Sequence, residues 1–175
     1  MRHVLIGLAL VLAAMPAAAQ TRDKNMIKCG SEDVKISIPG CTALLQAKPA
    51  APDDWRLAAY IYRGQSYQKK GLEELAFADF NNALALNPDA EGLTGLHAAI
   101  SLYYYKKNLF AECIASASKV IALRPDMAMG YRLRGSAYEM TEQRDKAIAD
   151  YRTALKIDPD AENLKAALSR LGVTP

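Results

Sequence analysis

The sequence predicts an all-α fold: three helical hairpins stacked in series between an N-terminal and a C-terminal cap. Three observations predict it. Tyr60, Gly64, Tyr67, Ala76, Phe80, Ala83 and Pro88 return in step, 71 residues later, as Tyr131, Gly135, Tyr138, Ala147, Tyr151, Ala154 and Pro159, and self-similarity at a fixed period marks a repeat architecture. Sliding the first copy forward by 37 places His97, Ser101, Tyr104, Cys113, Ala117, Val120 and Pro125 on the same skeleton. The unit is therefore 34 residues, with Glu91 to Leu93 added after the first copy. Finally, the matched positions lie three or four apart, the spacing of one helix face.

The elements follow in chain order. Residues 1–19 open with Arg2 and His3, run apolar from Val4 to Met15 and end Ala17-Ala18-Ala19, the layout of a secretory leader cut after Ala19. The apolar run is too short to span a hydrocarbon core that needs about 20 residues, so no stable membrane insertion is expected once the leader is gone. The layout fits a Gram-negative export signal, which would deliver the protein to the periplasm.

Residues 20–53 form the expected N-terminal cap. Val34 to Pro49 reads as the second helix of a half-unit whose first helix is missing, placed to cover the apolar edge of the first full repeat. In an oxidising compartment, Cys29 and Cys41 in KCGSEDVKISIPGC are the expected disulfide, which would stabilise this segment by roughly 3 kcal/mol in the chain-entropy model. Three cysteines allow three pairings, and the other two stay open. Cys113 holds the small buried slot of Ala76 and Ala147 and is expected to remain single. Trp55 is expected to anchor the first repeat onto the cap.

Residues 54–175 carry the repeats, at about 57–90, 94–127 and 128–161, with helices expected near 54–69, 72–86, 93–106, 109–123, 127–140 and 144–157. Tyr60, Gly64 and Tyr67 share one face, and glycine inside a helix costs about 1 kcal/mol against alanine, so its return at Gly135 argues for close packing of a second helix. Pro88, Pro125 and Pro159 end the units, and Asp89, Asp126 and Asp160 are placed to cap the next helix. Lys70-Gly71, Lys107-Asn108 and Thr141-Glu142 are the turns inside units. A capping helix at 162–172 is expected to bury Leu164, Ala167, Leu168 and Leu171, with Lys165, Ser169 and Arg170 facing water.

This pattern of an aromatic, a glycine four later, a tyrosine three beyond, an alanine, an aromatic and a closing proline resembles the tetratricopeptide repeat. The resemblance covers Asp53 to the C-terminus and implies antiparallel helix pairs stacked in a right-handed superhelix. It also implies that the first helices line a concave groove. The cysteine pair and the segment Cys41 to Leu44 are similar to those ahead of the first repeat in short exported bacterial members.

Function is read from what is present and what is missing. The chain carries a formal net charge of +3, too little to draw nucleic acid or acidic membranes. The expected mature chain has one histidine, His97, no metal-ligand cluster and no phosphate loop or nucleophile elbow, so neither catalysis, cofactor nor metal is expected. Asp79 and Asp150 recur on what reads as a solvated flank. In the implied groove, Ile61, Gln65, Lys69, Leu102, Tyr105, Lys106, Met129 and Arg132 are the candidate contacts, with Ser136, Glu139 and Met140 on the same helix faces. They lack the two-lysine, two-asparagine clamp that grips a chaperone C-terminus and suit an apolar, mildly acidic peptide or helix. The expected function is a non-catalytic periplasmic module binding a peptide or partner subunit. The alternative is an assembly helper of a secretion, pilus or cytochrome-biogenesis complex acting through another face. No oligomeric state follows from the sequence.

Overall fold

The computed structural model describes residues 17–87 and 91–174. The expected leader lies outside them except for its last three residues, as does Pro88. Among the described residues all regular structure is helical, divided into two compact units, up to Leu86 and from Asn87 onward.

The first unit holds α1 (Ala17–Cys29), α2 (Val34–Leu45), α3 (Asp53–Lys69) and α4 (Glu73–Leu86). Helix α1 corrects the expectation of a lone capping helix, because it pairs with α2 and makes the cap a full hairpin. Its mostly polar sequence, AAAQTRDKNMIKC, hid it from periodicity. Cys29 at its end sits at disulfide distance from Cys41, with Sγ–Sγ 2.00 Å and Cα–Cα 4.4 Å. Gly40 makes this approach possible, since a Cβ there would lie 2.7 Å from the Cys29 backbone nitrogen.

Helix α2 then packs on α3. Cys29, Cys41, Leu44, Ala51 and Ala59 form their buried core, with Met26, Leu45 and the expected anchor Trp55 packed against it. A polar thread crosses this core: Ser66 donates to the Ser37 hydroxyl (3.0 Å), which donates to the Cys29 carbonyl (2.7 Å). Each buried hydroxyl is thus satisfied, avoiding a penalty of about 1–3 kcal/mol.

The second unit opens with a 3₁₀ turn (Glu91–Leu93), then α5 (Thr94–Lys106), α6 (Phe110–Leu123), α7 (Ala128–Met140), α8 (Arg144–Ile157) and α9 (Glu162–Arg170). Hairpins α5–α6 and α7–α8 pack through α6 on α7, and α5 also reaches α7. Ala98, Ala117, Val120 and Leu133 are buried where the two hairpins meet. Leu164, Ala167 and Leu168 of α9 are buried against Ala147, Ile148, Tyr151 and Ala154 of α8. A fully buried leucine such as Leu168 stabilises by about 1.5–3 kcal/mol, so α9 closes the open side of the last hairpin.

The turns inside the three repeat hairpins, α3–α4, α5–α6 and α7–α8, share one geometry. Gly71, Asn108 and Glu142 take positive φ of 71°, 58° and 59°. The following N–H groups of Leu72, Leu109 and Gln143 donate to the carbonyls of Tyr67, Tyr104 and Tyr138 at 2.9, 2.9 and 2.8 Å. This is a left-handed helix terminus that favours glycine and tolerates asparagine, so Thr141-Glu142 forms the same turn with a less suited residue.

Of the expected aspartate caps, Asp89 lies outside the described residues, and Asp126 and Asp160 do not cap the helices that follow them. Helix α7 begins after Met127, which provides no side-chain cap, and α9 begins after Ala161 in the same way. Asp126 instead takes two bonds from Arg124, at 2.9 and 3.0 Å. That exposed pair holds its carboxyl below the usual carboxylate range, the Arg124 hydrogen bonds being the main cause.

Candidate functional site

On α3, the stripe Tyr60, Gly64 and Tyr67 is committed to helix packing; Ile61 and Gln65 stand one residue aside from it and Lys69 two. Gln65 and Lys69 are exposed and Ile61 is half-buried. In the second unit, α5 presents Leu102 at 37% exposure with Tyr105 half-buried and Lys106 exposed, and α7 presents Met129 at 40% with Arg132 half-buried. Tyr105 is braced edge-on by Phe110, ring centroids 5.8 Å apart. The candidate residues therefore remain at least partly on the surface of their own units, and beside Gln65, Leu102, Met129 and Arg132 the adjacent residues Gly64, Ser101, Gly130 and Leu133 are buried.

Sequence reading missed the most ordered polar feature. Asp79 and Asp150 are not on a solvated flank: they are 3% and 6% exposed. Arg63 grips Asp79 with two bonds of 2.8 Å and donates a third to Thr42 Oγ1 on α2 at 3.0 Å. Arg134 does the same with Asp150 (2.8 and 2.9 Å) and donates to Ser118 Oγ on α6 at 3.2 Å.

Each guanidinium is also bracketed by the recurrent tyrosines, Arg63 by Tyr60 and Tyr67 at 5.9 Å and Arg134 by Tyr131 and Tyr138 at 6.0 Å. Hydrogen bonding to the aspartate raises the pKa of each arginine, more than burial lowers it. Both guanidinium groups stay charged, and the bidentate geometry fixes the two helices of a hairpin in register. The signal was legible: Arg63 and Asp79 return together as Arg134 and Asp150 at the repeat offset.

In the middle hairpin these positions are Ile100 and Ser116. Ser116 turns back to donate to the His97 carbonyl at 3.0 Å. Cys113 is a buried thiol with its Sγ 3.3 Å from Ser101 Oγ. Burial raises its pKa more than that contact lowers it, which keeps it protonated and poor as a nucleophile.

At the far end of the second unit, Ser136 and Glu139 follow Arg132 at four and seven residues along α7, on one face. The Tyr151 hydroxyl donates to Glu139 Oε2 at 2.7 Å and contacts Ser136 Oγ at 3.2 Å. Burial pushes the Tyr151 pKa up, so the phenol stays a donor. Arg170 is exposed, as expected, and also reaches back from α9 to give Glu139 two bonds of 2.7 and 2.9 Å. The Arg170 bonds are the main reason the Glu139 pKa is lowered. Arg132 makes no hydrogen bond or ion pair among the described residues.

Comparison with known proteins places these hairpins. Models of the tetratricopeptide repeat match residues 57–90 and 128–161. The Hsp70-Hsp90 organizing protein of Triticum aestivum is 31% identical over 107 residues, 61% of this chain and 18% of that protein. The chain thus spans under a fifth of that relative's length. Among solved structures, MamA superposes with a TM-score of 0.75 at 18% identity, covering 87% of this chain and 81% of that one. The first tetratricopeptide domain of Spaghetti, bound to the HSP90 peptide SRMEEVD, superposes at 0.60 with 19% identity over 66% of this chain and 90% of that one.

Proposed function

The chain carries tetratricopeptide repeats, and from that premise we propose that it is an exported protein-interaction module that binds a peptide or a partner's segment on its first-helix faces, without catalysis. The observation that carries this reading is the division of labour on α3, α5 and α7. One stripe of each helix is consumed by packing, and the adjacent stripe stays at the surface with Leu102, Met129, Tyr105 and Arg132 available. Peptide-binding domains use apolar anchors with a few charges in this way. The Spaghetti domain, which binds a peptide, supports the reading by likeness of fold.

Periplasmic residence rests on the leader layout of residues 1–19 and is in keeping with the Cys29–Cys41 pairing distance. No helix among the described residues is long and apolar enough to cross a membrane.

The test is retention of periplasmic proteins on the immobilised full-length mature chain. Proteins retained by the parent and lost with both Tyr105→Ala and Arg132→Glu are bound by these faces. Retention unchanged by both variants rejects the site and favours another surface. Mass spectrometry of the exported chain should find Gln20 as its first residue and Cys29 and Cys41 protected from alkylation.

A further inference from the structure

Resting on the groove reading, we infer that the capping helix α9 is part of the recognition surface: Arg170 occupies Glu139 so that the α7 face accepts a carboxylate-bearing segment at Arg132 and rejects a basic one. The register points there first. Gln65, Leu102, Ser136 and Arg170 occupy equivalent places at the repeat offsets of 37, 34 and 34, so Arg170 holds in α9 the place that Gln65, Leu102 and Ser136 hold in the first helices of the hairpins.

Accounting for charge on α7 gives the chemistry. Glu139 is the anion of this face, and it is fully engaged, receiving the Tyr151 hydroxyl and both Arg170 nitrogens. Its side chain is 19% exposed, against 60% for Arg170. A lysine-rich ligand would have to displace a bidentate guanidinium to reach it, leaving Arg170 uncompensated. Two turns back along the same face, Arg132 keeps its charge without a partner among the described residues, next to Met129 one turn away and to α5, which packs on α7. Tyr105 on α5 also lies within electrostatic reach of Arg170. The face therefore offers apolar contacts, one unpaired cation and an anion already covered, and like-charge contacts at such a surface exclude the wrong partner.

The experiment uses the full-length mature chain and two labelled probe peptides with identical leucine and tyrosine positions, one carrying glutamates between them and the other lysines. Fluorescence anisotropy should show the glutamate probe bound about tenfold tighter by the parent. Arg170→Gln uncovers Glu139 and should reduce that preference to about twofold or less, mainly by gain of the lysine probe. Arg170→Lys keeps a cation on Glu139 and should keep the preference, and adding Glu139→Gln to Arg170→Gln should restore rejection of the lysine probe. Circular dichroism of each variant checks that it is folded, and Arg170→Lys with Glu139→Gln decides the matter if Arg170→Gln is not. Equal binding of both probes by the parent, or a preference indifferent to Arg170→Gln, overturns this inference and leaves the groove reading standing. Failure of the parent to bind either probe overturns both.

Discussion

Hairpins α5–α6 and α7–α8 lie side by side in one unit and solve the same packing problem with opposite residues. In α7–α8 a ring fills the seam: a Cβ on Gly135 would lie 2.9 Å from the Tyr151 ring, so only glycine fits beneath it. In α5–α6 the sizes are exchanged, Ser101 standing where glycine would and Ala117 where the ring would, both buried. The second exchange is electrical. Arg134 and Asp150 lock one hairpin, while Ile100 and Ser116 take their places in the other, and Ser116 satisfies itself on the His97 carbonyl. What is retained between repeats is a volume and a balance of charge, and identity follows only where one residue type can supply both.

The largest expected effect comes from breaking the charge exchange on one side. Asp150→Ala leaves the Arg134 guanidinium, 23% exposed, without its bidentate partner and should cost about 3 kcal/mol, at the low end for a broken buried pair. Ser116→Ala at the equivalent place should cost under about 1 kcal/mol. Urea unfolding monitored by circular dichroism measures both, and similar losses at the two positions would erase the distinction.

The size exchange comes next. Gly135→Ala drives a methyl into the Tyr151 ring and should cost about 2 kcal/mol. Copying the neighbour's solution with Gly135→Ser and Tyr151→Ala together should destabilise by less than the sum of the single changes, by at least about 1 kcal/mol. Strict additivity in that double-mutant cycle would show that the two positions do not compensate each other.

A smaller effect sharpens the contrast at the end of α7. The Glu139 pKa is lowered in the folded protein, chiefly by Arg170 and also by Tyr151, so its contribution is complete above the ordinary carboxylate range and disappears as pH falls through the lowered value. The exposed arginine limits it to under about 1 kcal/mol. Stability measured from pH 6 down to 3 should fall less steeply in Arg170→Gln than in the parent. At the turns, Glu142→Gly should stabilise by about 0.5–1 kcal/mol, because glutamate there is held at a φ of 59°, whereas replacing Gly71 by alanine should destabilise.

Helix positions in the repeat region were readable because Tyr60, Gly64, Ala76 and their successors carry both period and spacing: the expected 72–86 and 144–157 are Glu73–Leu86 and Arg144–Ile157. Helix α1 was not readable, since a stretch such as Thr21 to Asn25 has no apolar face to betray it and Cys29 does the anchoring. The cap expected at Asp126 failed for a local reason, Arg124 being close enough to hold that carboxylate instead. The surface stripe could be deduced from its offset to the packing stripe. The role of Arg170 could not, because its bonds to Glu139 cross 31 positions of sequence.

The third bond of each buried arginine has a consequence for building with these hairpins. Arg134 finds its extra oxygen on Ser118 and Arg63 finds one on Thr42, always a hydroxyl supplied by the preceding pair of helices. The modules are therefore addressed: transplanted behind a predecessor with an aliphatic residue at that spot, α7–α8 would keep its shape and strand a guanidinium hydrogen. An engineer shuffling the copies would have to move each hydroxyl with its downstream arginine.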